Sequence, residues 1–418
     1  MSLRIILAPL RRHGLMPAIV FLQVALACAI LCNVFFLAWQ RLEPMLTPAG
    51  VDAHNLILID NLAPVHGTWS EAESQAAEQA FRNVPGVRDA SSGLGLPMVS
   101  IVTIEFNLQG PTKSAVGVSA YAGRGLIDTL GLQRVAGRDF LPEEYRPFGV
   151  GASNGHNADW DAGAPQPVII TQALADKLFG NAQPVGGLLG DPSDKDVKGY
   201  QVVGIVKHLL RNELGLATNG HAEYTMLLAR NIGNTAMLSY AIRVDPTMHE
   251  AAMRGIKEAV KRQFGARTKN GPQARVEWYD DKRNEAFKSS RATLWLLLGL
   301  VVAVIMVTLA GIMGLTGFWV QQRTRQIGVR RALGARRIDI LHYFLAENVL
   351  IVGAGVIVGM GLAYLGNAML MRYYELPHLP WIYLPVGATA MLLMGQLSAL
   401  APAMRAAAVS PVVATRSL

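Results

Sequence analysis

Two pairs of residues in the sequence have the type and spacing for metal or thiol chemistry. Asp159 and Asp161 lie in a stretch rich in Gly, Asn and Asp over 149–165, but the full calcium-loop pattern with its terminal glutamate is missing. A solvated loop is therefore the favoured interpretation. Cys28 and Cys32, the two cysteines, stand four residues apart and so share one helix face. We interpret them as packing or lipid-facing residues, because Leu26 stands where a lipoprotein site at Cys28 needs a small residue.

Motifs for catalysis or nucleotide binding are absent from the sequence. The nine histidines are scattered without the spacing of metal ligands, and there is no G-x-S-x-G nucleophile elbow. No G-x-x-x-x-G-K-[ST] loop occurs, so the chain cannot cradle nucleotide phosphates in that way. We predict a non-enzymatic chain that binds no metal and no cofactor of its own, and a membrane-bound hydrolase is the weakest competing interpretation.

The hydrophobic residues are concentrated in four windows that are long enough to cross a membrane. Hydrophobic residues make up 51% of the chain and charged residues 16%, a composition that is too apolar for an ordinary soluble protein. The windows cover 17–40, 292–320, 342–371 and 381–404, and each reaches the length of about 20 residues that a span needs. A cleaved signal peptide is the alternative for the first window, but its apolar run exceeds the usual core of about 7 to 15 residues. We predict four transmembrane helices.

The basic residues outside the long polar segment 41–291 indicate how the spans are oriented. The segment itself is nearly neutral, with 26 Lys and Arg against 27 Asp and Glu. If the spans alternate, eleven of the twelve remaining basic residues fall on one side, which the positive-inside rule makes cytoplasmic. The interfacial helix 1–16, the loop 321–341 and the tail 405–418 are then cytoplasmic, whereas 41–291 and the short loop 372–380 lie outside. Because topology explains these charges, no nucleic-acid partner is expected.

The outer segment has the mixture of strand and helix patterns that is typical of an α+β domain. Its two ends, 41–120 and 231–291, look like halves of one porter-like part, and 121–230 is predicted to be an inserted second subdomain. Ser70 and Glu73 predict a capping box at the start of a helix. Strands are predicted over 55–60, 100–109, 167–171, 200–209, 238–245 and 274–280, and helices over 70–84, 172–180 and 246–265.

Few polar residues interrupt the four spans. They are Gln23, Asn33, Glu347, Asn348 and Gln396. Glu347 stands near the inner interface, where we expect it to pair with an arginine of the preceding loop. The scarcity of such residues argues against a proton-coupled carrier, because a carrier of that kind needs protonatable groups near the membrane midplane.

Ordered motifs along nearly the whole chain carry a family resemblance. In the outer segment they are GLQRVAGRDF, PVIITQALADKLFGNAQPVGG and YQVVGIV, and in the membrane part RTRQIGVRRALGARRIDILHYFLAENVLI and the ending APAMRAAAVSPVVATRSL. Together they resemble the MacB/FtsX-like permeases of ABC transporters, the type VII or mechanotransmission group, with a MacB-like periplasmic core domain. The resemblance implies a dimer with an identical or paralogous second permease, each copy having one helix before the outer domain and three after it.

The same resemblance implies that ATP is used by a different chain. MacB carries an ATPase domain fused at its N-terminus, whereas this sequence has no phosphate-binding loop. We therefore expect a separate cytoplasmic ABC ATPase that uses ATP and Mg, with this permease in the bacterial inner membrane. A periplasmic adaptor and an outer-membrane channel are further expected partners, together with membrane lipids.

The stretch 321–341 is the predicted contact with that ATPase. Its arginines and interspersed apolar residues suit a short amphipathic helix that meets a protein groove and anionic headgroups, and Gly334 is expected to end the helix. By composition alone, topology explains the arginines equally well, but the resemblance favours a coupling role. The predicted coupling residues are Arg323, Arg325, Ile327, Gly328, Arg330, Arg331, Leu333, Gly334 and Ala335.

Two functions fit the resemblance. The first is an export or extrusion permease that passes ATP-driven motion to an outer domain handling a peptide, drug or lipid-like substrate. The alternative is an FtsX-like transducer that regulates a periplasmic partner such as a cell-wall hydrolase. The MacB-like outer domain favours export, and the sequence assigns no substrate-binding residue.

Overall fold

The computed structural model describes residues 15–99, 103–148, 165–192, 199–212, 222–265, 267–268, 274–374 and 380–408. The chain forms two compact units, one of residues Glu43–Ser290 and one of Met1–Leu42 with Arg291–Leu418. We call the first the sheet unit and the second the helical unit. The interfacial helix predicted up to residue 16 falls almost wholly outside the described residues, as do the loop with Asp159 and Asp161 and most of the predicted tail.

Helices occur in both units and include the four predicted spans. Among the described residues they are α1 Leu15–Leu46, α2 Glu71–Arg82, α3 Leu126–Leu130, α4 Gln172–Phe179, α5 His249–Phe264, α6 Tyr279–Ala286, α7 Lys288–Gln322, α8 Thr324–Ala332, α9 Arg337–Tyr374 and α10 Tyr383–Ala408. Of these, α1, α7, α9 and α10 are long and apolar enough to cross a membrane. The sheet unit lies between the first and second of them in sequence, so the predicted fold class is confirmed.

The ends of the membrane helices differ from the predicted apolar windows. Helix α1 continues to Leu46, past Arg41 and Glu43, and α9 begins at Arg337, inside the predicted loop 321–341. Hydropathy marks only the part of a helix that lies in hydrocarbon, whereas the backbone hydrogen bonds of the helix continue into the interfacial region. Helix α10 instead begins slightly later than predicted, at Tyr383 rather than at residue 381.

Glycines on α9 bring this helix into close contact with α1. Gly355 and Gly359 have the spacing of a G-x-x-x-G motif. A β-carbon on Gly355 would lie 2.9 Å from the carbonyl oxygen of Phe21, and one on Gly359 would lie 2.6 Å from that of Ala25. Small residues permit this approach in a membrane, where helix association depends on van der Waals contact rather than on exclusion of water.

The two cysteines and the polar span residues also serve helix packing. Cys28 and Cys32 are unbridged, fully buried, and face α9 and α10, so they are packing residues and not lipid-facing ones. Three amide side chains donate to backbone carbonyls of a neighbouring helix: Gln23 to Val307 (2.9 Å), Asn33 to Ala363 (3.2 Å) and Asn348 to Gly395 (2.9 Å). Each bond satisfies a polar group that would otherwise lack a partner in lipid.

The sheet unit is built on one mixed sheet of twelve strands within the described residues. They are β1 Leu56–Leu62, β2 Val87–Leu94, β3 Glu105–Gln109, β4 Ala115–Gly123, β5 Arg134–Gly137, β6 Arg146–Phe148, β7 Gln166–Thr171, β8 Leu188–Leu189, β9 Tyr200–Val206, β10 Thr225–Ile232, β11 Leu238–Val244 and β12 Arg275–Trp278. The main path is β12-β1-β11-β2-β4-β10-β7-β9-β5, with β3 beside β4, β6 beside β10 and β8 beside β9. The pairs β4–β10, β6–β10 and β7–β9 are parallel, and the others are antiparallel.

The strand order keeps the two predicted parts of the outer segment on opposite halves of the sheet. Strands β12, β1, β11 and β2 come from 41–120 and 231–291, whereas β7, β9 and β5 come from 121–230. Both predicted boundaries fall inside strands, namely β4 and β10, which are adjacent and join the two halves. The two parts therefore share one continuous sheet, and their division into subdomains stays a prediction.

Apolar side chains cover both faces of this sheet. Along β1, Ile57 and Leu58 point to opposite faces and belong to different core clusters. The cluster of Ile57 is closed by α2, α4 and α5, and Phe81 of α2 is fully buried in it. The cluster of Leu58 is closed by α3 and by Tyr279 at the start of α6. A sheet with two covered faces gives the unit a rigid centre.

Most predicted elements of the sheet unit are present with shifted ends. The capping box is confirmed, since the Glu73 backbone N–H donates to Ser70 Oγ at 3.3 Å and the Ser70 backbone N–H donates to the Glu73 carboxylate at 2.8 Å. The last predicted strand ends at Trp278, because α6 already begins at Tyr279. Strands β2, β4 and β10 were not predicted, although they lie at the centre of the sheet.

Candidate functional site

The predicted coupling residues lie on and around α8, between α7 and α9. Helix α8 ends in a Schellman motif, in which the N–H of Gly334 donates to the Arg331 carbonyl and the N–H of Ala335 to the Arg330 carbonyl, both at 3.1 Å. Gly334 has a φ of +98°, a conformation that is strained for a residue with a β-carbon. Gly334 therefore ends the helix, as predicted.

Asp339 fixes the beginning of α9. Its Oδ2 accepts the backbone N–H of Arg336 at 2.9 Å, and its carboxylate stands in the first turn, where the helix dipole favours negative charge. The connection between α8 and α9 is only the four residues 333–336. Because both ends of this connection are capped, the direction of α8 relative to α9 is defined by local hydrogen bonds.

One face of α8 is buried against α9 and α10. The guanidinium of Arg330 lies 4.8 Å from the ring centre of Tyr343, and Arg331 Nη1 donates to the carbonyl of Ala407 at 3.4 Å. A cation over an aromatic ring contributes about 0.5–2 kcal/mol. Ile327 is 5% exposed and joins an apolar cluster with Val320, Ile340, Tyr343, Phe344, Ala403, Ala406 and Ala407. Helix α8 is thus docked on the membrane helices.

Three large apolar side chains between the second half of α8 and the first turn of α9 are exposed. Val329 of α8 is 48% exposed, Leu333 just after α8 is 83% exposed, and Ile338 in the first turn of α9 is 49% exposed. They lie within ten residues of one another and are separated by arginines. Because the described chain does not bury these apolar side chains, they are available for contact with a partner.

Arg323 and Glu347 form a buried ion pair at the junction of α7 and α8. Arg323 Nη1 lies 3.2 Å from Oε1 and 3.3 Å from Oε2 of Glu347, and the two side chains are 11% and 1% exposed. The Arg323 guanidinium also lies 4.4 Å from the ring centre of Trp319. The prediction that Glu347 pairs with an arginine of the preceding loop is confirmed.

The nine predicted coupling residues divide by their surroundings. Four of them contact other helices of the helical unit, namely Arg323, Ile327, Arg330 and Arg331. Gly328 is buried and Leu333 is exposed. The turn after α8 is formed by Gly334 and Ala335, and Arg325 lies within α8. Two residues that contact α8, Tyr343 and Ala407, were not predicted from the sequence. The one feature of the sequence that could have pointed to them is that each lies in one of the two membrane-part motifs of the family resemblance. The coupling role itself stays a prediction.

Other ionisable groups have structural partners in the sheet unit. A hydrogen bond from Arg267 and the Ser70 backbone N–H lower the pKa of Glu73 to about 2. Burial raises the pKa of Glu78, and hydrogen bonds from Thr247 and Arg88 lower the pKa of Asp245. Within the described residues, no three or more His, Cys, Asp and Glu side chains gather in a way that could hold a metal ion.

Comparison with known proteins agrees with the motifs. Residues 298–411 match the FtsX-like permease C-terminal domain. The macrolide export ATP-binding/permease protein MacB of Escherichia coli is 27% identical over 234 residues, which are 54% of this chain and 34% of the relative. Its counterpart in Bordetella avium is 31% identical over 229 residues, which are 52% of this chain and 33% of the relative. The chain thus spans about a third of the length of these curated relatives.

Two solved structures are similar to part of the chain. The periplasmic region of MacB from Actinobacillus actinomycetemcomitans covers 59% of this chain and 98% of that chain, at 12% identity and a TM-score of 0.35. The extracellular domain of the noncanonic ABC-type transporter YknZ from Gram-positive bacteria covers 53% and 100%, at 14% identity and a TM-score of 0.33. The matched domain and the sequence relatives confirm the family resemblance that the sequence motifs indicated.

Proposed function

We propose that this MacB-related, FtsX-like permease is the membrane subunit of an ATP-binding-cassette export or extrusion system. The observation that carries the proposal is the arrangement of α8, which is docked on the membrane helices through Ile327 and Arg330 while Leu333 stays exposed. A short helix that is fixed to the spans and open to a partner is suited to pass motion between them. The motion would come from a separate cytoplasmic ABC ATPase, which would bind the ATP and Mg.

In this proposal α8 and both termini face the cytoplasm, and the sheet unit faces the periplasm. The support is the position of eleven of the twelve basic residues outside 41–291 on one side of the four spans. The chain is then a multi-pass protein of the bacterial inner membrane. It carries out no catalysis itself, and its work is to transmit the conformational change of the ATPase.

Motion imposed on α8 would reach two other membrane helices. The Arg323–Glu347 pair joins the α7–α8 junction to α9, and Arg331 contacts Ala407 of α10. Removing one partner of a buried ion pair typically costs about 3–5 kcal/mol, so such a pair resists separation. The chain also runs directly from α7 back into the sheet unit. This continuity provides a covalent route from α8 to the periplasmic side.

The relatives and the family resemblance support a proposal for the substrate and for the remaining partners. Their names describe macrolide export, which supports a drug-like substrate for this chain, with peptides and lipid-like molecules as further candidates. The family resemblance supports a dimer with a second copy or a paralogue. A periplasmic adaptor and an outer-membrane channel would complete the route out of the cell.

The substitution Leu333→Asp tests the contact with the ATPase. It places a charge on an exposed apolar residue without disturbing a contact inside the chain, and loss of a hot-spot residue at the centre of an interface costs about 2 kcal/mol or more. We expect binding of the ATPase in detergent, and stimulation of its activity in liposomes, to fall by at least about tenfold. Leu188→Asp, at a 56% exposed leucine of the sheet unit, is the matched control and should change neither. Wild-type binding and stimulation in the Leu333 variant would refute the proposal.

The alternative function, an FtsX-like transducer that regulates a periplasmic partner such as a cell-wall hydrolase, uses the same coupling helix. The two functions differ in what ATP hydrolysis produces. An exporter moves a macrolide or peptide across or out of a vesicle membrane, whereas a transducer activates the hydrolase without transport. We favour export because the relatives named for export match half of this chain.

A further inference from the structure

A cleft between α7 and α10, which reaches the first residue of α8, is not accounted for by the proposed coupling. It encloses about 260 Å³ and is lined by Met313, Gly317, Val320, Gln321, Thr324, Ala401, Pro402 and Arg405. At roughly 30 Å³ for each molecule of liquid water, this volume has room for about nine waters. The space suits a lipid headgroup with the first part of its chains rather than a whole lipid.

The lining of the cleft changes from apolar to polar along both helices. On α7 it runs from Met313 past Gly317 to Gln321, a rise of ~12 Å, which is comparable with the ~15 Å of one hydrocarbon leaflet. On α10 it runs over one turn from Ala401 to Arg405. The polar end lies at the arginine-rich end of the helical unit, by which we mean the end that carries α8. The cleft therefore has the polarity of a phospholipid in that leaflet.

Gly317 leaves the floor of the cleft open. A β-carbon on Gly317 would have no atom within 4 Å, whereas one on Gly355 or Gly359 would clash with α1. Close packing within the described chain thus explains Gly355 and Gly359 but not Gly317. The small residue keeps space for a group from outside the described part of the chain.

Arg405 supplies a positive charge that the described chain does not neutralise. Its side chain is exposed and makes no hydrogen bond or ion pair with any residue that the structure describes. Arg323, at the same end, is in contrast paired with Glu347. The side-chain amide of Gln321, on the opposite wall of the cleft, also makes no hydrogen bond in the described residues and has two N–H donors to offer.

We propose that this cleft binds the headgroup of an anionic phospholipid. Arg405 and Gln321 would hold the phosphate, and the acyl chains would lie along Met313, Gly317 and Pro402. A second copy of the chain is a poorer occupant, because a copy in the same orientation has an excess of arginines at the level of Arg405 and so does not complement its charge. The proposed dimer would therefore meet through another face. A free anion would use the polar end alone and leave the apolar part of the cleft empty. This site does not depend on the coupling role of α8.

The test uses the full chain purified in a neutral detergent. Mixed micelles containing phosphatidylglycerol, phosphatidylcholine or neither are titrated against the protein, and retained lipid is counted by native mass spectrometry. We expect preferential retention of phosphatidylglycerol by the wild type. An arginine near a membrane surface contributes about 1 kcal/mol toward anionic lipid, so Arg405→Gln should weaken this binding by about fivefold. Gly317→Leu, which fills the cleft, should weaken binding of both lipids.

The control is Arg337→Gln, which removes an exposed arginine at the same end of the unit but outside the cleft. It should keep wild-type retention of phosphatidylglycerol. An equal loss in the Arg337 and Arg405 variants would overturn the proposal in favour of a diffuse charge effect. Competition by millimolar inorganic phosphate alone would overturn it in favour of a free-anion site. Because Arg405 is exposed and pairs with none of the residues that the structure describes, its variant should fold even if the Gly317 variant does not.

Discussion

The guanidinium of Arg323 and the carboxylate of Glu347 meet at 3.2 Å in a buried position, although the two residues are 24 positions apart. Arg323 stands where α7 gives way to α8, and Glu347 stands on α9. The pair therefore connects three helices at the place where the coupling motion is proposed to enter the helical unit. Trp319 lies against the guanidinium at 4.4 Å and shields it further.

Glu347→Ala should destabilise the protein strongly. It leaves the buried charge of Arg323 without its counter-ion, a change that typically costs about 3–5 kcal/mol, whereas replacing both partners with apolar residues is often close to neutral. We expect the thermal midpoint of the detergent-purified protein to fall sharply in Glu347→Ala and to recover largely in Arg323→Met/Glu347→Leu. If the double variant is as unstable as the single one, the cost comes from lost packing and not from the unpaired charge.

Gly334→Ala should weaken the end of α8 by a modest amount. A left-handed φ costs a residue with a β-carbon roughly 1–2 kcal/mol, and Gly334 has a φ of +98° with open space around it. The measurement is the free energy of unfolding, together with stimulation of the ATPase in liposomes. Gly299→Ala in α7 is the control, because its surroundings are equally open but its φ is not left-handed. That variant should be neutral or slightly stabilising, since alanine favours helix over glycine. Equal stability of both variants would contradict the assigned conformation.

Gly359→Leu should separate α1 from α9. A β-carbon at Gly359 would already contact the Ala25 carbonyl at 2.6 Å, and the longer side chain cannot be placed without moving a helix. Overpacking of this kind typically costs about 1–3 kcal/mol. Gly361→Leu is a matched control on the same helix, where a β-carbon has no atom within 4 Å. We expect a lower thermal midpoint for Gly359→Leu only. Similar midpoints for the two variants would show that α1 does not pack closely at this glycine.

Features set by local sequence could be predicted well, and the four spans are the clearest case. An uninterrupted apolar run needs no partner to be recognised, because lipid itself is the surrounding solvent. The capping box of Ser70 and Glu73 and the helix end at Gly334 are likewise determined within a few residues. The pairing of Glu347 could be anticipated because a lone carboxylate in a span requires a nearby cation.

Features set by tertiary packing could not be predicted in the same way. Strand β2 contains Asp89, Ala90 and Gly93, which are residue types depleted in strands. Its buried part shows no alternation because both faces of the sheet are covered. Similarly, nothing in the sequence places Ala407 beside Arg331, since the two are 76 positions apart and meet only when α10 folds against α8. The boundary between the two predicted subdomains also falls inside strands for this reason.

Glu78 lies buried in the sheet unit and should make its stability depend on pH. The residue is 6% exposed, and its Oε1 accepts hydrogen bonds from the backbone N–H of Ser92 at 2.8 Å and from Ser92 Oγ at 2.5 Å. Burial is the largest cause of its shift and raises its pKa above the ordinary value, while Ser92 and Arg82 oppose the shift. The folded protein therefore holds this proton to a higher pH than the unfolded chain does. The contribution of Glu78 to the stability of the fold is complete below the pKa that the residue has in the unfolded chain. It is lost as pH rises through the pKa of Glu78 in the folded protein.

Glu78→Gln should consequently stabilise the protein at neutral pH. The amide removes the cost of a buried negative charge, and its Oε1 can still accept both hydrogen bonds from Ser92. We expect a higher thermal midpoint than the wild type at pH 7.5 and no difference near pH 3, where the wild-type side chain is protonated in both states because its pKa in the unfolded chain is about 4.3. Ser92→Ala is the companion variant, and it should lower the midpoint at both pH values because it removes a donor and not a charge. A lower midpoint for Glu78→Gln at pH 7.5 would mean that the 3.6 Å contact with Arg82 outweighs the cost of burying the carboxylate.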